Sequence, residues 1–181
     1  ISFLYNNLLR ARGEQELRYK TREDIIWVDT EPRTDEIAAP AFPDQLRRAN
    51  DALEKIGDEG VMHIPMLKQP AERARQDLAR EGKHIDILNI DRRQGSESRV
   101  SAIHVNSPER GPSRFVSDVR RVSVALTRSS GPCFIFGPVS SVKRRAYSSW
   151  SLLLTYIRML TEADGVRRMY SGIDDLVANH T

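Results

Sequence analysis

Three groups of residues have types and spacings that can do chemistry. The first is Arg128, at the end of the run DVRRVSVALTR (118–128). An arginine held there can serve as an arginine finger, a fixed cation that neutralises charge on a transferring γ-phosphoryl group. It can equally be a helix-terminal cation that complements the helix dipole. The second is Gln94-Gly95-Ser96-Glu97. Glycine lets backbone approach a ligand, and the flanking glutamine and glutamate can bond sugar hydroxyls or a phosphate-bound water; the plainer alternative is a polar turn. The third is basic: Arg120-Arg121 and Lys143-Arg144-Arg145 can meet nucleic-acid phosphates, or can be solvated helix faces.

Other chemistries lack their residues. The phosphate-cradling pattern G-x-x-x-x-G-K-[ST] has no match, since the one Gly-Lys pair, Gly82-Lys83, is followed by His84. There is no G-x-S-x-G elbow. His63, His84, His104 and His180 are scattered along the chain and read as surface or satisfied core, and a single cysteine, Cys133, completes neither a zinc site nor an internal disulfide. No metal site is expected, and any reaction must be completed by groups outside this chain.

Composition narrows the class. The 181 residues make one domain by size, and 39% hydrophobic content is enough for a core. Net charge is only +3, too small to establish nucleic-acid binding. The cations, however, are 23 Arg against 5 Lys, and the planar guanidinium suits phosphate. No apolar run approaches the ~20 residues of a membrane span, no secretory signal opens the chain, and the lone cysteine fits a reducing compartment. The expectation is an intracellular protein, cytoplasmic or nuclear, with no membrane partner. The first residue is Ile1, which we read as a piece of a longer chain.

The elements that must position these residues alternate. Strands are expected at 25–28, 61–64, 85–90, 100–105 and 133–136. Helices are expected at 44–56 with Asp44 as N-cap, at 70–80 with Pro70 in the first turn and Gly82 as the stop, from Ser117 through Arg128 with Val119, Val122, Ala125 and Leu126 facing the sheet, and at 146–160, where Trp150, Leu153, Leu154 and Ile157 are core. Proline-rich 30–43 reads as a loop, and the stretch after Thr161 as a polar peripheral tail. Such alternation predicts βαβ units and a mostly parallel sheet covered on both faces. Functional residues should then lie in loops after the strands and at helix starts.

Taken together, these residues resemble one family. Ile90-Asp91-Arg92-Arg93-Gln94-Gly95-Ser96-Glu97 resembles helicase motif V of superfamily 1, usually V-D-x-F-Q-G-R-E. Phe115 to Arg128 (FVSDVRRVSVALTR) is similar to motif VI, F-L-x-D-x-R-R-L-N-V-A-L-T-R-A-[RK], and is followed by an apolar strand ending at Gly137. Val61 to Gln69 (VMHIPMLKQ) looks like motif IV, and Ser2 to Leu9 like the segment leading into the second motor domain. The resemblance is to superfamily 1 helicases of the nonsense-mediated-decay, senataxin and Dna-two/Nam-seven type. It implies a three-layer α/β, RecA-like domain of the P-loop NTPase type over residues 1–160, with 161–181 as the tail.

It further implies a C-terminal motor domain of an ATP-dependent RNA or DNA helicase. Arg128 would be the catalytic finger. Gln69, Gly95 and Glu97 would contact ATP, and Asp91, Gln94 and Arg121 would contact single-stranded RNA or DNA. ATP and Mg2+ would be held mainly by a first RecA-like domain that carries the Walker residues and is missing here, so the chain alone should not hydrolyse ATP. Departures from the family pattern are Pro70 and Ser130 where cations are common, Arg93 for phenylalanine, Ser96 for arginine and Ser123 for asparagine. They keep open a helicase-derived binding or scaffold module without turnover. An unrelated α/β small-molecule enzyme is the third class.

Overall fold

The computed structural model describes residues 25–31, 42–91 and 98–180. The motif-V-like stretch 92–97, with Gln94, Gly95 and Glu97, lies outside the described residues, as do the leading segment 1–24 and most of the proline-rich loop.

Among the described residues the sheet has six strands, all parallel, in the order β3-β2-β4-β5-β1-β6. They are β1 (Ile25–Asp29), β2 (Met62–Pro65), β3 (Asp86–Ile87), β4 (Ser101–His104), β5 (Cys133–Gly137) and β6 (Met169–Tyr170). The helices are α1 (Phe42–Lys55), α2 (Lys68–Arg80), α3 (Val119–Leu126), α4 (Val139–Lys143), α5 (Ser149–Asp164) and α6 (Ile173–Ala178).

Strand alternation sorts the core into two faces. In register across four strands, Ile64, Ile103, Ile135 and Trp27 point one way and pack with Val122, Ala125 and Leu126 of α3 and with Trp150, Leu153, Leu154 and Ile157 of α5. His104, Phe136, Val28 and Tyr170 point the other way, where Ala49 and Leu53 of α1 and Leu176 of α6 cover the sheet. Phe42 and Leu46 of α1 extend that cover onto Ala71, Ala74 and Leu78 of α2. The result is the α/β three-layer arrangement of a RecA-like, P-loop NTPase-type domain. Both buried indoles find acceptors: Trp27 Nε1 donates to the Gly137 carbonyl at 2.9 Å and Trp150 Nε1 to the Val116 carbonyl at 2.8 Å.

Several boundaries shift from expectation. α1 begins at Phe42, so Asp44 sits in the first turn rather than at the cap. α3 is capped by Asp118, not Ser117, and Val119 is exposed. The third strand shrinks to two residues because Asn89 Oδ1 accepts the Asp91 amide at 3.0 Å and turns the chain. The last helix starts three residues later than expected, at Ser149, behind a short helix, α4, that sequence patterning missed. The stretch beyond Thr161 is no peripheral tail. It completes α5, then adds β6 beside β1 and α6 over the sheet, with Tyr170 and Leu176 buried. No helix among the described residues is long and apolar enough to cross a membrane.

Candidate functional site

α3 organises the site because it runs the height of the sheet. Its eight residues span about 12 Å. The Asp118 carboxylate starts it by accepting the amides of Arg120 (2.9 Å) and Arg121 (3.2 Å). The helix begins at the carboxyl ends of the strands and delivers Arg128 to their amino ends, just before β5.

At the amino end, Arg128 belongs to a segment docked edge-on against the start of β4. The Ser98 amide donates to the Arg128 carbonyl, the Ser130 amide to the Ser98 carbonyl and the Gly131 amide to the Arg99 carbonyl, each at 2.9 Å. Ser101 Oγ meets Ser129 Oγ at 3.0 Å below them. Gly131 is required here: a Cβ on it would stand 2.9 Å from the Arg99 carbonyl oxygen. The partly exposed Arg128 side chain is steadied by its own helix, Nε donating to the Val124 carbonyl at 3.1 Å. Asp58 lies at this end too, just before β2; burial pushes its carboxyl up, against the opposing pull of Arg99 and His180. Ser98, the residue that follows Glu97 in the chain, is the one set beside the candidate finger.

At the carboxyl end, Arg121 and Asp91 come together as an ion pair. Arg121 Nη2 also donates to the Met66 carbonyl at 2.8 Å, and its guanidinium lies 4.0 Å from the Phe115 ring centroid. This arginine therefore ties the ends of β2 and β3 to the start of α3. Gln69 is exposed in the first turn of α2, after the carboxyl end of β2. The structure does not bring Gln69 to Arg128; a four-residue strand, roughly 13 Å, stands between their ends. The candidate positions are thus split between both edges of the sheet, where the sequence reading expects functional residues after the strands and at helix starts.

Sequence reasoning also missed a buried pair. His63 and His104, 41 residues apart, stack with centroids 5.3 Å apart and share a 2.9 Å hydrogen bond. Burial drives the His63 pKa down to about 3, so the ring is neutral. The β2–β4 pairing makes them neighbours, which nothing in their spacing announces.

Comparison with known proteins fits this geometry. An AAA domain family profile matches residues 45–140, more than half of the chain, from α1 through β5. The chain belongs to that family. The AAA domain here is also 24% identical over 170 residues to the DNA-binding protein SMUBP-2 of Mus musculus, covering 87% of this chain and 17% of the relative. The SMUBP-2 proteins of Rattus norvegicus and Mesocricetus auratus are each 26% identical over 141 residues, covering 75% of this chain and 14% of each relative. The chain therefore spans less than a fifth of the length of these relatives. Fold, family and relatives together make this AAA domain a superfamily 1 helicase-like domain.

Proposed function

We propose that this AAA domain is the second, C-terminal motor domain of an ATP-dependent superfamily 1 helicase. In this reading it supplies Arg128 as the finger, with Gly95 and Glu97 as neighbouring contacts, to ATP and Mg2+ held mainly by a first RecA-like domain in the same protein. The observation that carries it is the 2.9 Å bond from the Ser98 amide to the Arg128 carbonyl, which docks the finger segment on the residue that follows the motif-V-like stretch in the chain. The chemistry of the residues fits a nucleotide: Arg128 is a cation braced by its own helix, and the sequence of the motif-V-like stretch offers glycine and polar side chains. ATP would bring the scissile phosphoanhydride. Arg128 would neutralise the charge developing on the γ-phosphoryl oxygens and would need no rearrangement of its backbone to do so.

Gln69, Asp91 and Arg121 lie on the opposite edge, so the reading takes Gln69, an ATP contact by the resemblance, to the nucleic-acid side, and Gln94 keeps the nucleic-acid role that the resemblance gives it. The relatives' description as DNA-binding supports single-stranded nucleic acid, RNA or DNA, as the partner. The test is Arg128→Ala in the intact protein. Nucleic-acid-stimulated ATP hydrolysis should fall by about 10³-fold or more while nucleotide affinity stays near wild type. Turnover that survives the substitution would reduce Arg128 to a helix-terminal cation.

A second reading, a helicase-derived binding module without turnover, is favoured by Ser130. Its amide is committed to Ser98, and its side chain stands exposed where the family carries a cation. An intact wild-type protein that binds nucleic acid and nucleotide yet hydrolyses nothing would select it.

A further inference from the structure

At the carboxyl end of the sheet lie several buried polar atoms that no described residue satisfies. Among the described residues, the buried polar atoms without a hydrogen-bond partner include both carboxamide atoms of Asn106, Nδ2 of Asn89, Oγ of Ser117 and Nε of Arg121. Asn89 and Asn106 follow β3 and β4, and Ser117 and Arg121 flank the start of α3. Buried polar atoms are normally paired, so such a concentration at one end points to something that completes it.

Ser117 also lines an open groove of about 540 Å³ between residues 112–117 and 144–149. Its walls carry Arg114, Arg144 and Arg145, several serine hydroxyls and the ring of Tyr147, and no carboxylate among the described residues. None of the three arginines is ion-paired among the described residues. Tyr147 is 94% exposed and rests on nothing. The groove is built rather than incidental. Gly111 has φ +98°, and a Cβ there would stand 2.9 Å from Arg145 Cγ, so the arginine stem lies directly on bare backbone. Ser149 Oγ donates to the Ser117 carbonyl at 2.8 Å and pins the two walls together. The 16-residue α5 opens at the groove's floor, with its positive end toward it.

We propose that this groove is a binding site for single-stranded nucleic acid, in which Arg114, Arg144 and Arg145 hold backbone phosphates and Tyr147 stacks on a base. The proposal rests on the reading of this domain as part of a nucleic-acid motor, and adds a contact surface outside the three helicase motifs. Unpaired guanidinium forks match phosphate geometry. A freely exposed ring beside them suits an unstacked base, whose face a duplex hides. An acidic peptide would use the arginines and leave the ring idle.

The test is fluorescence anisotropy on the intact protein with short fluorescein-labelled oligouridine and oligothymidine, over a salt series. Tyr147→Ala should weaken binding by about five- to a hundredfold, with the salt slope unchanged. The double variant Arg114→Gln/Arg144→Gln should weaken binding and flatten the slope of log K against log salt by about 1.4, roughly 0.7 for each lost phosphate contact. All three positions are exposed, so folding is not at stake. Wild-type affinity and slope in both variants would overturn the groove while leaving the motor reading intact. Loss of binding only to a labelled poly-glutamate peptide would overturn it in favour of an acidic protein partner. A wild-type protein that binds neither oligonucleotide would fail the motor reading first, and the groove with it.

Discussion

Asn50 sets the proton arrangement of the buried histidines. Its Nδ2 donates to Glu54 at 2.8 Å, so Oδ1 faces His63 Nε2 at 3.2 Å. His63 must then carry its proton on Nε2 and accept through Nδ1 from His104 Nε2. A second proton on His63 would put a charge on a fully buried ring stacked against His104, which itself packs on Phe42 and Phe136. The unfolded chain takes up that proton near pH 6.5, and the folded one only near 3. Below pH 6.5 the unfolded state thus binds more protons, and stability falls with pH. The expected loss is about 1.4 kcal/mol per pH unit between 6.5 and about 3, with no contribution from this group above 6.5. Urea unfolding of the intact protein across that range checks it, and His63→Gln should give a shallower dependence. Gly131 illustrates the other kind of residue-scale constraint: its missing side chain is what lets the finger segment close on Arg99.

Among the elements, α3 matters most because one short helix serves both edges of the sheet. Its start was legible only to within a residue. Ser117 and Asp118 are both good caps, but the Ser117 amide donates to the Ser113 carbonyl and its own carbonyl takes the Ser149 hydroxyl, so the cap falls to Asp118. Asp118→Ala strips the acceptor from two amides and should lower stability by about 1 kcal/mol, read as a shift in denaturation midpoint at constant m-value. The strands β1 and β5 were legible from their apolar runs because both faces of a central parallel strand are buried. β3 lies at the sheet's edge, where four of its six expected residues fall outside the strand.

On the scale of the whole molecule, the C-terminal stretch closes the sheet. β6 pairs with β1 at Trp27 and Val28, and the Trp27 amide donates to the Arg168 carbonyl at 2.8 Å. Arg168 is fully buried and forked onto Asp164 at 2.7 and 2.9 Å, a contact that holds the Asp164 carboxyl below the usual range. Deleting residues 165–181 should remove about 3–6 kcal/mol, from the lost burial of Tyr170 and Leu176 alone. It should also leave β1 as an open edge prone to pairing with other chains. Chemical denaturation and light scattering of the truncated protein test this; a dispensable tail would change neither.

Local patterning by itself determined the alternation of strands and helices, hence a parallel α/β sheet, and singled out the ALTR arginine and the basic runs. Those features follow from periodicity and residue chemistry within a few turns of chain, which a sequence displays directly. Tertiary structure alone decided which edge of the sheet each residue serves. Parallel pairing sends Gln69 and Arg121 to one end and Arg128 to the other, although Gln69 and Arg128 both read as serving ATP and Arg121 as a nucleic-acid contact. It also decided that a polar-looking terminus is an edge strand, because Met169 and Tyr170 gain their partners from β1, some 140 residues earlier in the chain. Contacts of that range carry no local signature, since the free energy that selects them is shared across the whole sheet.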